Sequence, residues 1–150
     1  MANWCSTNLS FTHKDLEVVQ EFQERCKTLT EGDDAKMSLI DFNNFLPCPY
    51  DTPELQRDWK WDNWGTRTNA VATEILYPKD NQPIEESEEG YTYTLRFDTA
   101  WSPPTKIFDK ISKDYPEAEI EVWCSEEADL WTSFEQIIKN GKTIHYKLEK

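Results

Sequence analysis

The segment from Tyr91 to Thr99 shows the clearest alternation of apolar and polar side chains, and this pattern constrains the fold more than any other in the sequence. A period of two residues places alternate side chains on opposite faces of a β-strand. The predicted inward side chains are Tyr91, Tyr93, Leu95 and Phe97, and the outward ones are Thr92, Thr94, Arg96 and Asp98. The chain must therefore build a sheet with one buried and one polar face.

Similar alternation predicts further strands at 4–11, 67–77 and 119–124. Their expected inward residues are Cys5, Thr7, Leu9 and Phe11 in the first strand, Val71, Thr73, Ile75 and Tyr77 in the second, and Ile120, Val122 and Cys124 in the third. The last strands form a predicted hairpin over 130–149. Its turn is Asn140-Gly141, a pair that tolerates positive φ and favours a type I′ turn.

Two segments have helical spacing. The first begins at a predicted capping box, Thr12-His13-Lys14-Asp15, and is expected to end near Gly32. The second begins after Ser102-Pro103-Pro104 and ends at Pro116, because proline is tolerated only in the first turn of a helix. Their predicted buried stripes are Leu16, Val19, Phe22, Cys26 and Leu29 in one and Ile107, Phe108, Ile111 and Tyr115 in the other.

Residues 33–62 have apolar positions without a clean period and three interrupting prolines, so we expect an irregular packed insertion there. Residues 78–90 are predicted to be an exposed hairpin loop. The resulting order is β-α-insertion-β-β-α-β followed by a hairpin. It predicts a single α+β domain over 1–150, with a ferredoxin-like split β-α-β sheet and two helices on one face.

The charge of the chain limits its partners. Sixteen Lys and Arg residues oppose twenty-nine Asp and Glu residues, for a net charge of -13. Such a chain repels nucleic-acid backbones and anionic membranes, and it is attracted to basic protein surfaces. Solubility alone is the simpler explanation of the acidity. The four cysteines are scattered and no signal peptide or long apolar run is present, which predicts a cytoplasmic location.

Two Trp-rich segments, Trp59–Thr66 and Phe97–Pro104, carry a family resemblance. With the opening Met1–Ser6 and the later Lys113-Asp114-Tyr115-Pro116, they resemble the YubB ferredoxin-like family of small phage and conjugative-plasmid proteins. The resemblance implies a ferredoxin-like fold, a mobile-element origin and residence in the host bacterial cell. That family has no established reaction, so the resemblance assigns no catalytic residue.

The same tryptophans suggest one candidate ligand site. Trp64, Trp101, Arg67 and Arg96 are predicted to line a pocket for a nucleotide-type signal, because indoles stack on bases and guanidinium groups bind phosphates bidentately. The structural alternative is that Trp64 and Trp101 stack on each other in the core, with Gly65 allowing close passage of the backbone beneath an indole.

Acidic runs suggest a candidate partner site. The predicted contact residues are Glu85, Glu86, Glu88, Glu89, Glu119, Glu121 and Trp123. Carboxylates on one face of a strand repeat about every 6.6–7 Å and resemble the charge density of a phosphate backbone. They equally suit a solvated face or an edge protected from aggregation.

No recognisable catalytic, metal-binding or cofactor-binding motif is present. His13 and His145 have no ligand partner at diagnostic spacing, and Cys48 between two prolines is typical of a packing residue. We therefore expect a non-enzymatic binding protein that inhibits or redirects a host defence factor, without metal or cofactor. The alternative hypothesis is a small module that sequesters a nucleotide-like ligand.

Overall fold

The computed structural model describes residues 3–29, 37–79, 82–126 and 133–149. The helices are α1 (Leu16–Cys26), α2 (Pro53–Trp64) and α3 (Thr105–Asp114), with a 3₁₀ turn at Phe42–Asn44. The strands are β1 (Trp4–His13), β2 (Thr28–Leu29), β3 (Met37–Ser38), β4 (Val71–Tyr77), β5 (Glu86–Ser87), β6 (Gly90–Ala100), β7 (Glu119–Glu126), β8 (Ser133–Lys139) and β9 (Lys142–Glu149).

The main sheet runs in the order β4-β6-β1-β7-β8-β9, and every neighbouring pair is antiparallel. The split β-α-β unit consists of the four strands β1, β4, β6 and β7, and they lie in the order β7-β1-β6-β4. This is the ferredoxin-like arrangement. The predicted fold class is therefore confirmed, with β8 and β9 extending the sheet beyond β7.

Strand β1 lies at the centre and pairs with β6 on one side and β7 on the other. Leu9 faces Leu95 in β6 and Val122 in β7, so that inward residues meet inward residues in all three strands. The predicted inward sets of these strands are buried, apart from the half-buried Tyr91. They form the floor of the core.

Helices α1 and α3 cover this floor with the predicted stripes, including Val19 and Phe22 in α1 and Ile107 and Ile111 in α3. The predicted ends of α1 are wrong. Asp15 alone caps its start by accepting the amide N–H of Glu17. Thr12 stays in β1, where its hydroxyl bonds Thr92, and the helix ends at Cys26 because the chain turns there into β2. Gly32 lies outside the described residues.

The predicted irregular insertion at 33–62 is wrong in its second half, where α2 is a regular helix beginning at Pro53. Proline fits this first position because the first helical amides have no partner within the helix. Trp64 is its one buried residue, so the segment lacks the apolar stripe that would predict a helix. Gly65 ends it with φ of 86°. Residues 33–36 lie outside the described residues.

Strand β4 is shorter and less regular than the predicted strand over 67–77. Ala72 has φ of 51°, and the register with β6 shifts twice along the strand. Val71 and Tyr77 are consequently exposed, whereas Thr73 and Ile75 are half-buried, so the four residues do not form one inward face. At the other end of the sheet, Asn140 and Gly141 have φ of 52° and 73°, as expected for a type I′ turn.

A polar cluster joins α1 to α3 at the edge of the core. The Arg25 guanidinium donates to Asp114 at 2.8 Å and lies over the Phe45 ring at 4.5 Å. Burial alone would raise the pKa of Asp114, but hydrogen bonds from Lys110 and Arg25 lower it below its usual range. Tyr115 adds a hydroxyl that donates to Glu21. These contacts tie the two covering helices to each other.

The buried Tyr93 and the half-buried Tyr115 differ in how their hydroxyls are satisfied, and this difference yields a prediction. The Tyr93 hydroxyl is buried with no partner among the described residues, whereas Tyr115 bonds Glu21. We expect Tyr115→Phe to lower the free energy of unfolding by about 0.5–1.5 kcal/mol. Tyr93→Phe should leave it unchanged or raise it, because no hydrogen bond is lost. Urea unfolding of both variants checks this, and an equal loss in the two would contradict it.

Candidate functional site

The outward side chains of β1, β6 and β7 form an open surface, which we call the outer face. It comprises Ser6, Asn8, Ser10, Thr12, Thr92, Thr94, Arg96, Asp98, Glu119, Glu121, Trp123 and Ser125, all of which are half-buried or exposed. The helices that cover the inner face leave these twelve residues accessible. The outer face is thus an uncovered surface of the sheet.

Side-chain hydrogen bonds link β1 and β6 across the outer face. Ser10 and Thr94 share one of 2.9 Å, and Thr12 and Thr92 share one of 2.8 Å. The Arg96 Nε–H donates to the Ser6 hydroxyl at 3.2 Å. Cross-strand hydroxyl pairs of this kind stabilise a sheet. They also fix the rotamers of the surface, which lowers the entropy cost of contacting it.

Strand β7 adds carboxylates and an indole to the outer face. Glu119, Glu121 and Trp123 share the outer face as predicted, and 42% of Trp123 is exposed. Trp123 lies between Asn8 of β1 and Glu135 of β8, which places another carboxylate beside the indole. Glu135 was not among the predicted residues. It alternates within β8 with Phe134 and Ile138, which face inward, and this alternation was the signal that it faces outward.

The acidic hairpin loop is continuous with this face. Glu85, Glu86, Glu88 and Glu89 are exposed, as predicted. Glu89 lines a shallow cavity of about 270 Å³ together with Glu117 and Glu119. Lys139 and Lys14 also line this cavity, so the negative charge there is partly compensated. The two predicted groups of glutamates therefore meet at one end of the outer face.

The predicted Trp/Arg ligand pocket is not assembled. Trp64 is fully buried, and its indole N–H donates to the Leu46 carbonyl at 2.8 Å. Its ring contacts Phe42 and Trp59 edge-on, with centroid distances of 5.4 and 5.9 Å. Because Arg96 points to the outer face, it lies on the opposite side of the sheet from Trp64.

The other two residues of that predicted pocket are also apart from Trp64. The Arg67 guanidinium lies over the Trp61 ring at 5.0 Å. Trp101 is 57% exposed at the end of β6 and adopts a positive φ of 72°. The suggested stacking of Trp64 on Trp101 is thus wrong, because one ring is in the core and the other is at the surface.

The two Trp-rich segments dock against each other through polar contacts. The Thr66 hydroxyl donates to the Ala100 carbonyl at 3.2 Å, and the Ser102 hydroxyl donates to the Gly65 carbonyl at 2.8 Å. A Cβ on Gly65 would approach the Thr105 hydroxyl to 2.9 Å. Glycine therefore allows the end of α2 to approach the start of α3. The expected close passage of this backbone beneath an indole is not what requires glycine here. The motifs that carry the family resemblance have a structural role.

Three of the described thiols are buried, and one described imidazole bonds the backbone. Burial raises the pKa of both Cys5 and Cys124 to about 12, so these thiols stay protonated at neutral pH. His13 Nδ1 accepts the Asp15 amide N–H at 2.9 Å. Across the described residues, no group of three His, Cys, Asp or Glu side chains is placed to hold a metal ion. No described helix has the length and apolar character to cross a membrane.

The fold and the site together define a ferredoxin-like α+β protein with an open, acidic sheet face. Residues 81–150 match the model of a family described as the ferredoxin-like domain in Api92-like protein. The whole chain is also similar to the crystal structure of a protein api92 from Yersinia pseudotuberculosis. The TM-score is 0.63 at 9% sequence identity, with 98% of each chain covered. No curated protein matches the sequence.

These similarities confirm the ferredoxin-like part of the family resemblance. An identity of 9% over the whole chain shows a shared fold and nothing about a shared partner. The family model covers β5, β6, α3 and the strands up to β9, so it includes Trp123 and the glutamates of the outer face. The YubB family and the mobile-element origin stay predictions.

The contrasting burial of two tryptophans yields a prediction. Trp64→Ala should lower the free energy of unfolding by about 3–5 kcal/mol, because it leaves a cavity among Phe42 and Trp59. Trp101→Ala should change it by about 0.5 kcal/mol or less, since the ring is largely in water. Urea unfolding followed by circular dichroism measures both changes. A large loss in Trp101→Ala would show that its ring has an unrecognised packing role.

Proposed function

We propose that this chain is a non-enzymatic binding protein that contacts a basic surface of another protein through its outer face. The observation that carries the proposal is the exposed Trp123 set beside Glu121 and Glu135 on a hydrogen-bonded sheet surface. An exposed tryptophan at the centre of a surface is a typical anchor of protein interfaces. The surrounding carboxylates would select a basic partner.

Charge supports the same partner class. The net charge of -13 accelerates association with a basic protein, and the local carboxylates orient the encounter. Glu89, Glu117 and Glu119 around the shallow cavity extend the acidic surface toward the hairpin loop. A row of carboxylates of this kind suits a protein groove that otherwise holds nucleic acid. We infer that the partner has such a groove.

The biological setting of the proposal comes from the sequence motifs. The resemblance to small phage and conjugative-plasmid proteins favours a mobile-element protein in the cytoplasm of its host bacterium. Inhibition or redirection of a host defence factor is the role that fits a small acidic protein of this origin. The target of the outer face is then a basic protein of the host.

A charge-reversal experiment tests the proposal. The wild-type chain is used as bait in host cells, and a captured basic protein is purified and titrated with each variant. Glu119→Lys/Glu121→Lys should weaken binding by about tenfold or more, because two carboxylates on the contact surface are reversed. Raising the salt concentration should weaken wild-type binding in the same way.

The matched control is Asp51→Lys/Glu54→Lys, which changes the net charge equally at exposed positions before and within α2. It should reduce affinity much less than the β7 pair does. Equal weakening by both pairs would mean that only total charge matters and would reject the outer face as the site. Trp123→Ala should chiefly accelerate dissociation, since it removes the anchor without changing charge.

A further inference from the structure

The strand at the end of the sheet is unusually exposed. All eight residues of β9 are exposed, and three of them are large and apolar. Ile144, Tyr146 and Leu148 each keep between 50% and 58% of their surface open. Large apolar side chains at this exposure on an unpaired strand edge are a template for pairing with another chain.

Two of these side chains belong to the helical side of the sheet. Leu148 is paired with Phe134, and Tyr146 is paired with Gln136. Gln136 is in turn paired with Val122, which is buried under the helices. The Tyr146 and Phe134 rings are stacked with centroids 5.6 Å apart. Helix α3 contacts β7 and β8 but leaves β9 uncovered. Within the described part of the chain, an apolar strip therefore runs beside the edge of β9 that pairs with no other strand.

The charge of β9 contrasts with the rest of the chain. It has two lysines and one glutamate, in a protein of net charge -13. Two copies of so acidic a protein repel each other in most orientations. The two β9 strands carry little net charge, so a contact between them meets less of this repulsion. This strand is therefore a favourable place for self-contact.

The sequence of β9 is self-complementary in one antiparallel register. With Tyr146 opposite Tyr146 of a second copy, Ile144 meets Leu148 of that copy, and His145 meets Lys147. Centring the pair on Lys147 would again oppose Tyr146 and Leu148, but it would also oppose two lysines and leave Ile144 beyond the end of the partner strand. Centring it on His145 would place Leu148 against Lys142. Opposed apolar residues stabilise a strand pair, and like charges destabilise it. The Tyr146 register is favoured.

We propose that β9 is a self-association edge through which two copies of this chain form a symmetric dimer. The two β9 strands pair antiparallel about a two-fold axis at Tyr146 and join both sheets into one. Tyr146 and Leu148 of each copy then form an apolar strip across the joined strands, on the side of the sheet that the helices cover. This inference does not depend on the proposed function, because it uses the opposite side of the sheet.

The other free edge of the sheet differs from β9 in ways that disfavour pairing. Strand β4 has two register shifts and the positive φ of Ala72, which bend its backbone away from a regular ladder. Strand β9 has one shift, between Ile137 and Ile138 of β8, and pairs regularly with β8 from His145 to Glu149. The regular stretch includes the proposed two-fold position.

Sedimentation of the full chain tests the association. We expect a concentration-dependent dimer in the wild type and a monomer in Tyr146→Lys/Leu148→Lys. The matched control is Tyr50→Lys/Leu55→Lys, which replaces exposed apolar residues elsewhere and should leave the dimer intact. A wild-type chain that stays monomeric up to its solubility limit would overturn the proposal and leave β9 for a different protein.

Disulfide cross-linking tests the register without altering the apolar strip. In a Cys48→Ala background, His145→Cys and Lys147→Cys are prepared as separate proteins and then mixed. Opposed residues of an antiparallel pair have Cα atoms about 4.5–5.5 Å apart, within disulfide range. The mixture should cross-link at least about fivefold faster than either protein alone, because like positions are offset by two residues. Equal rates would overturn the Tyr146 register.

Discussion

The pairing of β1 with both β6 and β7 is the constraint on which the rest of the structure depends. These three strands are far apart in sequence, yet Leu9, Leu95 and Val122 align across them, so one face becomes continuous and apolar. A slip of one residue in β1 would turn every side chain of that strand to the other side. Helices α1 and α3 bury their stripes only because this floor is in register.

The same alignment creates the outer face as its complement. Each apolar residue turned inward leaves a polar neighbour turned outward, so the serines and threonines of β1 and β6 meet and bond across the strands. The position of a tryptophan then decides its role. Trp64 ends a helix above the floor and becomes core, whereas Trp123 occupies an outward position of β7 and remains open. Aromatic content alone does not distinguish these environments.

The sequence predicted β1, β6, β7 and the stripe of α3 because each has an unbroken period. It did not predict α2, since that helix buries only Trp64 and packs at its end rather than along a face. It also placed Trp64 beside Trp101 because both belong to Trp-rich segments. Those segments do meet, but through Thr66, Ser102 and backbone carbonyls. Whether a tryptophan in such a segment is buried or exposed depends on where the helix lies. Local sequence patterns do not specify that position.

The two proposed surfaces have a joint consequence because they lie on opposite sides of one sheet. A two-fold axis perpendicular to the sheet at β9 would turn both outer faces to the same side of the dimer. Two copies of Trp123 and its neighbouring carboxylates would then face a partner together. For an extended or repeated basic partner, the second contact becomes intramolecular, and the overall affinity can exceed that of one face by about 10²–10⁴. A weak acidic surface would in this way bind effectively, with β9 controlling the strength of binding and the outer face the choice of partner.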